Sequence, residues 1–196
     1  MAEPATTEKK SLRAQALARR DGLDPQWRVE ASLRIAETGD KAIECQAGDI
    51  VSGFWPMRSE VDLRPLMFAL RKKGARLCLP AILDKETIVF RELVRGAEMV
   101  DMGFGTVGPG EDAAILDPTI MLVPLAAFDG YGQRIGYGGG YYDRAIARLH
   151  ERGLHPLLIG IAFDCQEVAR VPAEPHDVPL PAILTESGLR RFDGRG

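Results

Sequence analysis

The chain has 196 residues, 45% of them apolar and 27% charged, with a net charge of −3 and a pI near 5.7. It is long enough for one domain, residues 1–196, with a sizeable core, and too acidic for a general nucleic-acid binder, which carries a basic surplus. No apolar run reaches bilayer length, and the opening eight residues hold two acids and no apolar signal core, so the expectation is a cytoplasmic protein away from membranes. Cys45, Cys78 and Cys165 are scattered without Cys-x-x-Cys spacing and read as reduced thiols.

Taken in chain order, residues 1–7 read as a disordered lead. Lys9 to Arg20 then reads as a helix with Leu12, Ala16 and Leu17 on one face. Pro25 opens a second helix ending near Gly39. Residues 49–55 form a first strand and 56–62 the loop after it. Leu63 to Lys73 is a helix, with Pro65 tolerated in its first turn and Gly74 as the stop. Strands follow at 76–80 and 87–91. Residues 96–118 hold glycines and acids with little periodicity and read as one long loop, of a length usually functional or mobile. Thr119 to Phe128 is a continuous apolar run, expected as a single buried strand, and 155–163 is another. Asp164 to Arg170 reads as a helical turn and 182–185 as a last strand. Apolar strands alternating with helices predict an α/β fold: a three-layer, open, mostly parallel sheet with helices on both faces. Ligands bind beyond the carboxyl ends of such strands, so loops 56–62, 129–140 and 164–177 are expected to meet at one crevice.

The most informative stretch lies between the two apolar strands. Arg134-Ile-Gly-Tyr-Gly-Gly-Gly-Tyr-Tyr-Asp143-Arg144 places Gly136, Gly138, Gly139 and Gly140 within five positions. Each would cost about 1 kcal/mol inside a helix relative to alanine. A helix follows, with Tyr142, Ala145, Ile146 and Leu149 on one face. Strand, glycine loop and helix N-terminus together expose unpaired N–H groups and the positive end of a dipole, an arrangement that holds phosphate. Arg134 and Arg144 flank the loop and suit bidentate phosphate contacts. A flexible turn is the plainer reading. Neither the Walker nor the Gly-x-Gly-x-x-Gly fingerprint applies. Asp143 fits the first turn on dipole grounds alone; beside a bound nucleotide it could also hold Mg²⁺.

Other candidates carry two readings each. Lys9, Lys10 and Arg13 are a solvated basic face or a phosphate clamp. Glu60 and Asp62 follow a strand end, where substrate contacts are common, yet Asp62 could equally cap the helix beginning at Leu63. His176-Asp177 lies in a proline-stiffened turn and reads as structural. The three histidines, 150, 155 and 176, lack zinc-ligand spacing, and no Ser-His-Asp set can be argued. The residues alone lead to an α/β enzyme that binds a nucleotide or another anion.

Together these pieces resemble the 5-formyltetrahydrofolate cyclo-ligase (methenyltetrahydrofolate synthetase) family over nearly the whole chain. The resemblance rests on Lys9-Lys-Ser-Leu-Arg13, Ser59-Glu-Val-Asp62, Phe128-Asp-x-x-Gly-x-Arg134 running on to Arg144, His176-Asp-Val-Pro179 and Leu184-Thr-Glu186. It implies an ATP- and Mg²⁺-dependent conversion of 5-formyltetrahydrofolate to 5,10-methenyltetrahydrofolate. The formyl oxygen takes the γ-phosphoryl group, the neighbouring folate nitrogen closes the ring, and ADP and phosphate are released. Phosphoryl transfer needs positioning and charge neutralisation more than a protein nucleophile, which suits a site of glycine N–H groups, Lys and Arg.

By the same resemblance Lys9, Lys10, Ser11, Leu12 and Arg13 contact ATP. So do Arg134, Ile135, Gly136, Tyr137, Gly138, Gly139, Gly140, Tyr141 and Tyr142, of which Tyr137 to Tyr141 also reach the folate. Met57, Glu60 and Asp62 face the folate, an acid suiting the N–H donors of its pterin ring. Asp143 and Asp177 serve the metal, and Arg134, Tyr142 and Asp143 are catalytic. Trp55 offers a stacking surface or a core contact. The expected partners are ATP and a reduced folate, for a monomer. Two positions depart from the pattern: Pro181, where relatives often carry aspartate, and Gly108, where glutamate is common. Alternatives from other classes are a folate-binding protein without turnover, and a sugar-phosphate isomerase or acyl-transfer enzyme on a similar scaffold.

Overall fold

A computed structural model describes residues 4–103 and 106–192. Residues 1–3 of the expected lead, and Phe104 and Gly105 in the segment holding one departure, lie outside the described residues. Helix α1 (Pro4–Asp21) begins ahead of Lys9 and so takes in residues 4–7, which the sequence reads as lead. A proline in the first turn sacrifices no helical hydrogen bond. Helix α2 (Pro25–Ala42) is capped by Asp24, whose Oδ1 accepts from the Trp27 N–H at 2.9 Å, a contact worth about 1 kcal/mol. It runs through Gly39 rather than stopping there. A Cβ at Gly39 would lie 2.9 Å from carbons of Leu66 and Leu184, so the glycine serves close packing instead of a C-cap.

The remaining elements are β1 (Ile50–Ser52), α3 (Arg64–Lys72), β2 (Arg76–Ile82), β3 (Ile88–Glu92), β4 (Met99–Asp101), β5 (Val107–Pro109), β6 (Ile120–Pro124), β7 (Ala127–Phe128), β8 (Arg134–Ile135), α4 (Tyr141–Glu151), β9 (Leu157–Ile161), a 3-10 turn (Asp164–Gln166), β10 (Ala182–Thr185) and β11 (Gly188–Arg191). Seven strands form one sheet in the order β11-β10-β9-β6-β1-β2-β3. The five inner strands are parallel, and only the edges, β3 and β11, run antiparallel to their neighbours.

Two apolar layers sandwich this sheet. Ala31 and Ile35 of α2 and Leu66 and Leu70 of α3 meet Val51, Leu77, Leu122 and Ile159 on one face. Ala145, Ile146 and Leu149 of α4 meet Met121, Val123, Leu158 and Ile183 on the other. Successive strand residues point to opposite faces, so the inner strands must be apolar throughout, as their sequences are. Each fully buried Leu or Ile contributes about 1.5–3 kcal/mol. The expected three-layer α/β sheet with helices on both faces is the fold.

Three expectations need correction. The run 119–128 is not one strand: β6 ends at Pro124, which has no N–H to extend a ladder, and Ala127–Phe128 turns away to pair with β8 in a separate small sheet. Residues 96–118 are not an unstructured loop, because β4 and β5 pair antiparallel with Met99 opposite Pro109. Strands of three residues are too short to show a period. The turn after β9 is helical only over Asp164–Gln166, and β11 was not anticipated.

Candidate active site

The carboxyl ends of β1, β2 and β6 open into a cleft of about 360 Å³, within the range of small-ligand sites. Phe54, Trp55, Leu79, Pro80, Ile82 and Ile88 give it an apolar lining. The glycine loop and the start of α4 form one wall, and Met102, Thr106 and Val107 of the β4–β5 ribbon form another. The sequence marks this segment only by its length, as a long loop of the kind usually functional or mobile. Gly108 leaves room there: a Cβ would stand 3.2 Å from Met102 Cγ, so a larger side chain would push on a residue lining the cleft. Pro181, the other departure, is exposed.

Glu60 is the acid that the 56–62 loop brings to the cleft. Its Oε2 accepts from the Met57 N–H at 2.8 Å and its Oε1 from the Tyr137 hydroxyl at 2.6 Å. Burial raises its pKa, offset only in part by these hydrogen bonds and the charge of Arg20. Tyr137 is pushed up as well, by burial of its hydroxyl and by the Glu60 charge. Tyr142, from the first turn of α4, lines the cleft with a buried hydroxyl that has no partner among the described residues, and burial raises its pKa too. A buried hydroxyl without a partner costs about 1–3 kcal/mol, so a ligand atom that pairs with it recovers that energy.

The glycine loop is shaped by backbone geometry that few residues other than glycine adopt. Gly138 has φ +106° and Gly140 φ +64°, and Gly140 stands at the N-cap of α4 without a side-chain cap. The positive end of α4 is therefore left for a ligand. The loop is held from outside: Arg13 Nε donates to the Gly136 carbonyl at 2.7 Å, and Arg144 donates to Gly139 and Glu86 carbonyls, each at 2.8 Å. Arg144 thus props the loop and stacks on the Tyr141 ring rather than standing free.

Beside the loop, the cations are already paired. Arg134 is buried, donating to Asp143 Oδ1 at 2.8 Å and to the Val178 carbonyl. Asp143 Oδ1 also accepts from the Val178 N–H at 3.1 Å. Lys9 Nζ lies 2.5 Å from Glu174 and 2.6 Å from Asp177. Burial would lower its pKa, but the hydrogen bonds and charges of Asp177 and Glu174 win and hold it above the ordinary value. Segment 174–178 therefore ties the start of α1 to the Arg134–Asp143 pair. The expectation that 164–177 would line the crevice holds only for this indirect contact, since the cleft itself is lined without it.

The other expected residues divide. Lys10 and Ser11 are exposed on α1. Leu12 and Ile135 pack with Ala16, Ala127 and Val171, so their side chains are core, and their backbone is engaged in α1 and in the β7–β8 pair, where the Ala126 N–H donates to the Ile135 carbonyl at 2.8 Å. Asp62 lies outside the cleft: it pairs with Arg64 at 2.7 Å and accepts from the Arg64 N–H at 3.1 Å, the helix-start role. Trp55 lines the cleft and packs against the core, with the Arg64 guanidinium 5.3 Å from its ring. Glu174 and Arg20 were not anticipated. Arg20 had a signal, since Lys9, Arg13 and Arg20 fall on one face of a 3.6-residue helix.

With this geometry in hand, comparison with known proteins is direct. The profile of the 5-formyltetrahydrofolate cyclo-ligase family matches residues 5–186. The chain belongs to this family. It is 31% identical over 175 residues to the 5-formyltetrahydrofolate cyclo-ligase of Escherichia coli K12, covering 86% of this chain and 95% of that one. It is 26% identical over 185 residues to the Haemophilus influenzae cyclo-ligase, covering 91% and 98%. The solved structure of Aquifex aeolicus 5,10-methenyltetrahydrofolate synthetase superposes with a TM-score of 0.80 at 29% identity, over 96% of this chain and 95% of that one. The Mycoplasma pneumoniae synthetase, TM-score 0.72 at 23% identity over 91% and 98%, supports the fold. The family match makes the protein an enzyme with 5-formyltetrahydrofolate cyclo-ligase activity. Among the described residues no helix is long and apolar enough to cross a membrane.

Proposed function

We propose that the protein converts 5-formyltetrahydrofolate to 5,10-methenyltetrahydrofolate with consumption of ATP. The formyl oxygen bonds to the γ-phosphorus as the bond to the bridging oxygen breaks and ADP departs with that electron pair. The neighbouring folate nitrogen then adds to the activated formyl carbon. Phosphate leaves with the C–O electron pair, and the nitrogen's proton passes to solvent. The observation that carries this reading is the junction of an apolar cleft holding one oriented acid, Glu60, with a glycine loop and uncapped helix start flanked by Lys9, Arg13 and Arg134.

Glu60 accepts from the pterin N–H donors with the lone pairs that Met57 and Tyr137 leave unused. Met57 and the aromatic walls take the flat ring. Gly136 to Tyr142 wrap the phosphates with backbone N–H groups, and Tyr142 offers its unpaired hydroxyl. Lys9, Lys10 and Arg13 meet the phosphates from α1, with Ser11 alongside. A closed, apolar site strengthens each of these charge contacts and keeps the activated formyl group from water.

Mg²⁺ fits the donor set. Among the described residues Asp143 Oδ2 takes no hydrogen bond and Asp177 Oδ1 meets only the exposed His176 at 3.9 Å, so each has an oxygen of the hard type the ion takes. When bound, the ion neutralises charge on the transferring phosphoryl group. The test is to mix the protein with 5-formyltetrahydrofolate, ATP and Mg²⁺ and follow the near-ultraviolet absorbance of the methenyl product. A rise that needs ATP supports the reading. No rise from a folded protein that binds ATP overturns it.

A further inference from the structure

One buried charge in this region has no part in the chemistry above. Arg20, near the end of α1, is 3% exposed. Its Nε donates to Ser59 Oγ at 2.9 Å and its NH1 to the Tyr137 hydroxyl at 2.6 Å. The Tyr137 hydroxyl in turn donates to Glu60 Oε1 at 2.6 Å, and Ser59 donates to Asp21. The donors all point one way: guanidinium to phenol to carboxylate on one branch, guanidinium to serine to carboxylate on the other. Ser59 and Glu60 are adjacent in the loop after β1, so the guanidinium grips that loop on both sides of one peptide bond. A buried guanidinium is costly unless its donors are used, and its planar fork suits this bridging.

Tyr137 is the link. The residue as a whole is 41% exposed, yet its hydroxyl is embedded between Arg20 and Glu60. It belongs to the glycine loop, whose neighbouring Gly136 carbonyl is held by Arg13 from the same helix. The rod that carries Lys9 and Arg13 toward the phosphate wall therefore also reaches the acid of the apolar cleft.

We propose that Arg20 is a positioning residue for the folate end of the site. Acting through the Tyr137 hydroxyl and Ser59, it sets the orientation of the Glu60 carboxylate and docks the glycine loop against it. This rests on Glu60 as the folate-facing acid but not on ATP turnover, so it is read by ligand binding alone.

The charged and titratable groups around Glu60 are Arg20 from α1, Tyr137 from the glycine loop and Tyr142 from α4. Arg134 and Asp143 line the same cleft as an ion pair of their own. Removing the Arg20 charge takes away a stabiliser of ionised Glu60, so folate binding is lost at a higher pH as pH falls.

The test is direct titration of 5-formyltetrahydrofolate and, separately, ATP, on wild type, R20Q, R20K, Y137F and R20Q/Y137F. Expected are folate binding weakened about tenfold in R20Q, ATP binding changed less than threefold, and an acid limb of folate binding moved upward in pH. R20K restores the acid limb while affinity stays below wild type. The double variant is no worse than the poorer single one, because both break one chain. If R20Q fails to fold, Y137F and R20K carry the comparison through affinity and pH profile. Additive effects, equal loss of both ligands, or unchanged folate binding in folded R20Q or Y137F would overturn the proposal. Wild type that binds the folate but makes no methenyl product would sink the reaction above and leave this test intact.

Discussion

The two halves of the site are built on opposite plans. The apolar cleft stands open, with Glu60 held by Met57 and Tyr137 and its apolar lining supplied largely by the ends of main-sheet strands. The polar wall is closed on itself: Lys9 is engaged by Glu174 and Asp177, and Arg134 by Asp143 and Val178. A ligand can enter the cleft without breaking any of these contacts. A phosphate chain must exchange partners with carboxylates that already neutralise the cations. Removing one member of such a pair leaves the other charge partly buried and unmatched, so the two halves should respond to mutation with different magnitudes and different ligands.

Asp143→Ala is expected to separate them most sharply. It strips the buried Arg134 guanidinium of its carboxylate and removes an acid from the phosphate wall. Turnover should fall by about 10²-fold or more while the dissociation constant for 5-formyltetrahydrofolate moves less than threefold. A comparable loss of folate affinity would show that the halves are not separable. Lys9→Ala should raise KM for ATP by about tenfold, more at low salt than at high, and leave the folate KM near wild type. Steady-state kinetics at two ionic strengths checks it.

Glu60→Gln tests the open half. Burial holds the Glu60 pKa above the ordinary carboxylate value. If its ionised form accepts from the folate, as proposed, wild-type folate binding should be full above that raised pKa and lost as pH falls through it. The glutamine variant should bind about five- to tenfold more weakly at neutral pH and lose that acid limb, with ATP affinity unchanged. The smallest effect is expected at Asp62→Ala. Its half-exposed pairing with Arg64 is worth under about 1 kcal/mol, so the melting temperature should drop slightly and both KM values stay within twofold. A folate KM raised tenfold would return Asp62 to the site.

The glycine motif was legible because chemistry, spacing and flanking elements agreed: an apolar strand before, an amphipathic helix after, and glycines no helix would accept. The cation set of α1 was legible as residues but ambiguous as a role, since a basic face in water and a phosphate clamp have the same spelling. Asp62 and Glu60 looked equivalent in sequence. One peptide turn sends Glu60 into the cleft and Asp62 to the start of α3, and that direction depends on Arg20, Tyr137 and Ser32, which lie far away in the chain. The break after Pro124 was readable in principle from the missing N–H, but the apolar residues on both sides of it masked it.

By itself, then, the sequence determined the layered α/β fold, the parallel centre of the sheet and the family, because these follow from periodicity and from local motifs that act over a few residues. Only the tertiary structure decided which side chains face one another across the cleft, that the β4–β5 ribbon forms one of its walls, and that the phosphate-type cations rest on carboxylates from residues 143–177. Several of these contacts join positions over a hundred residues apart, as Lys9 meets Asp177 and Arg20 meets Tyr137. No local pattern encodes them. They are set by how the two apolar layers pack on the sheet and where that packing brings the loop ends together.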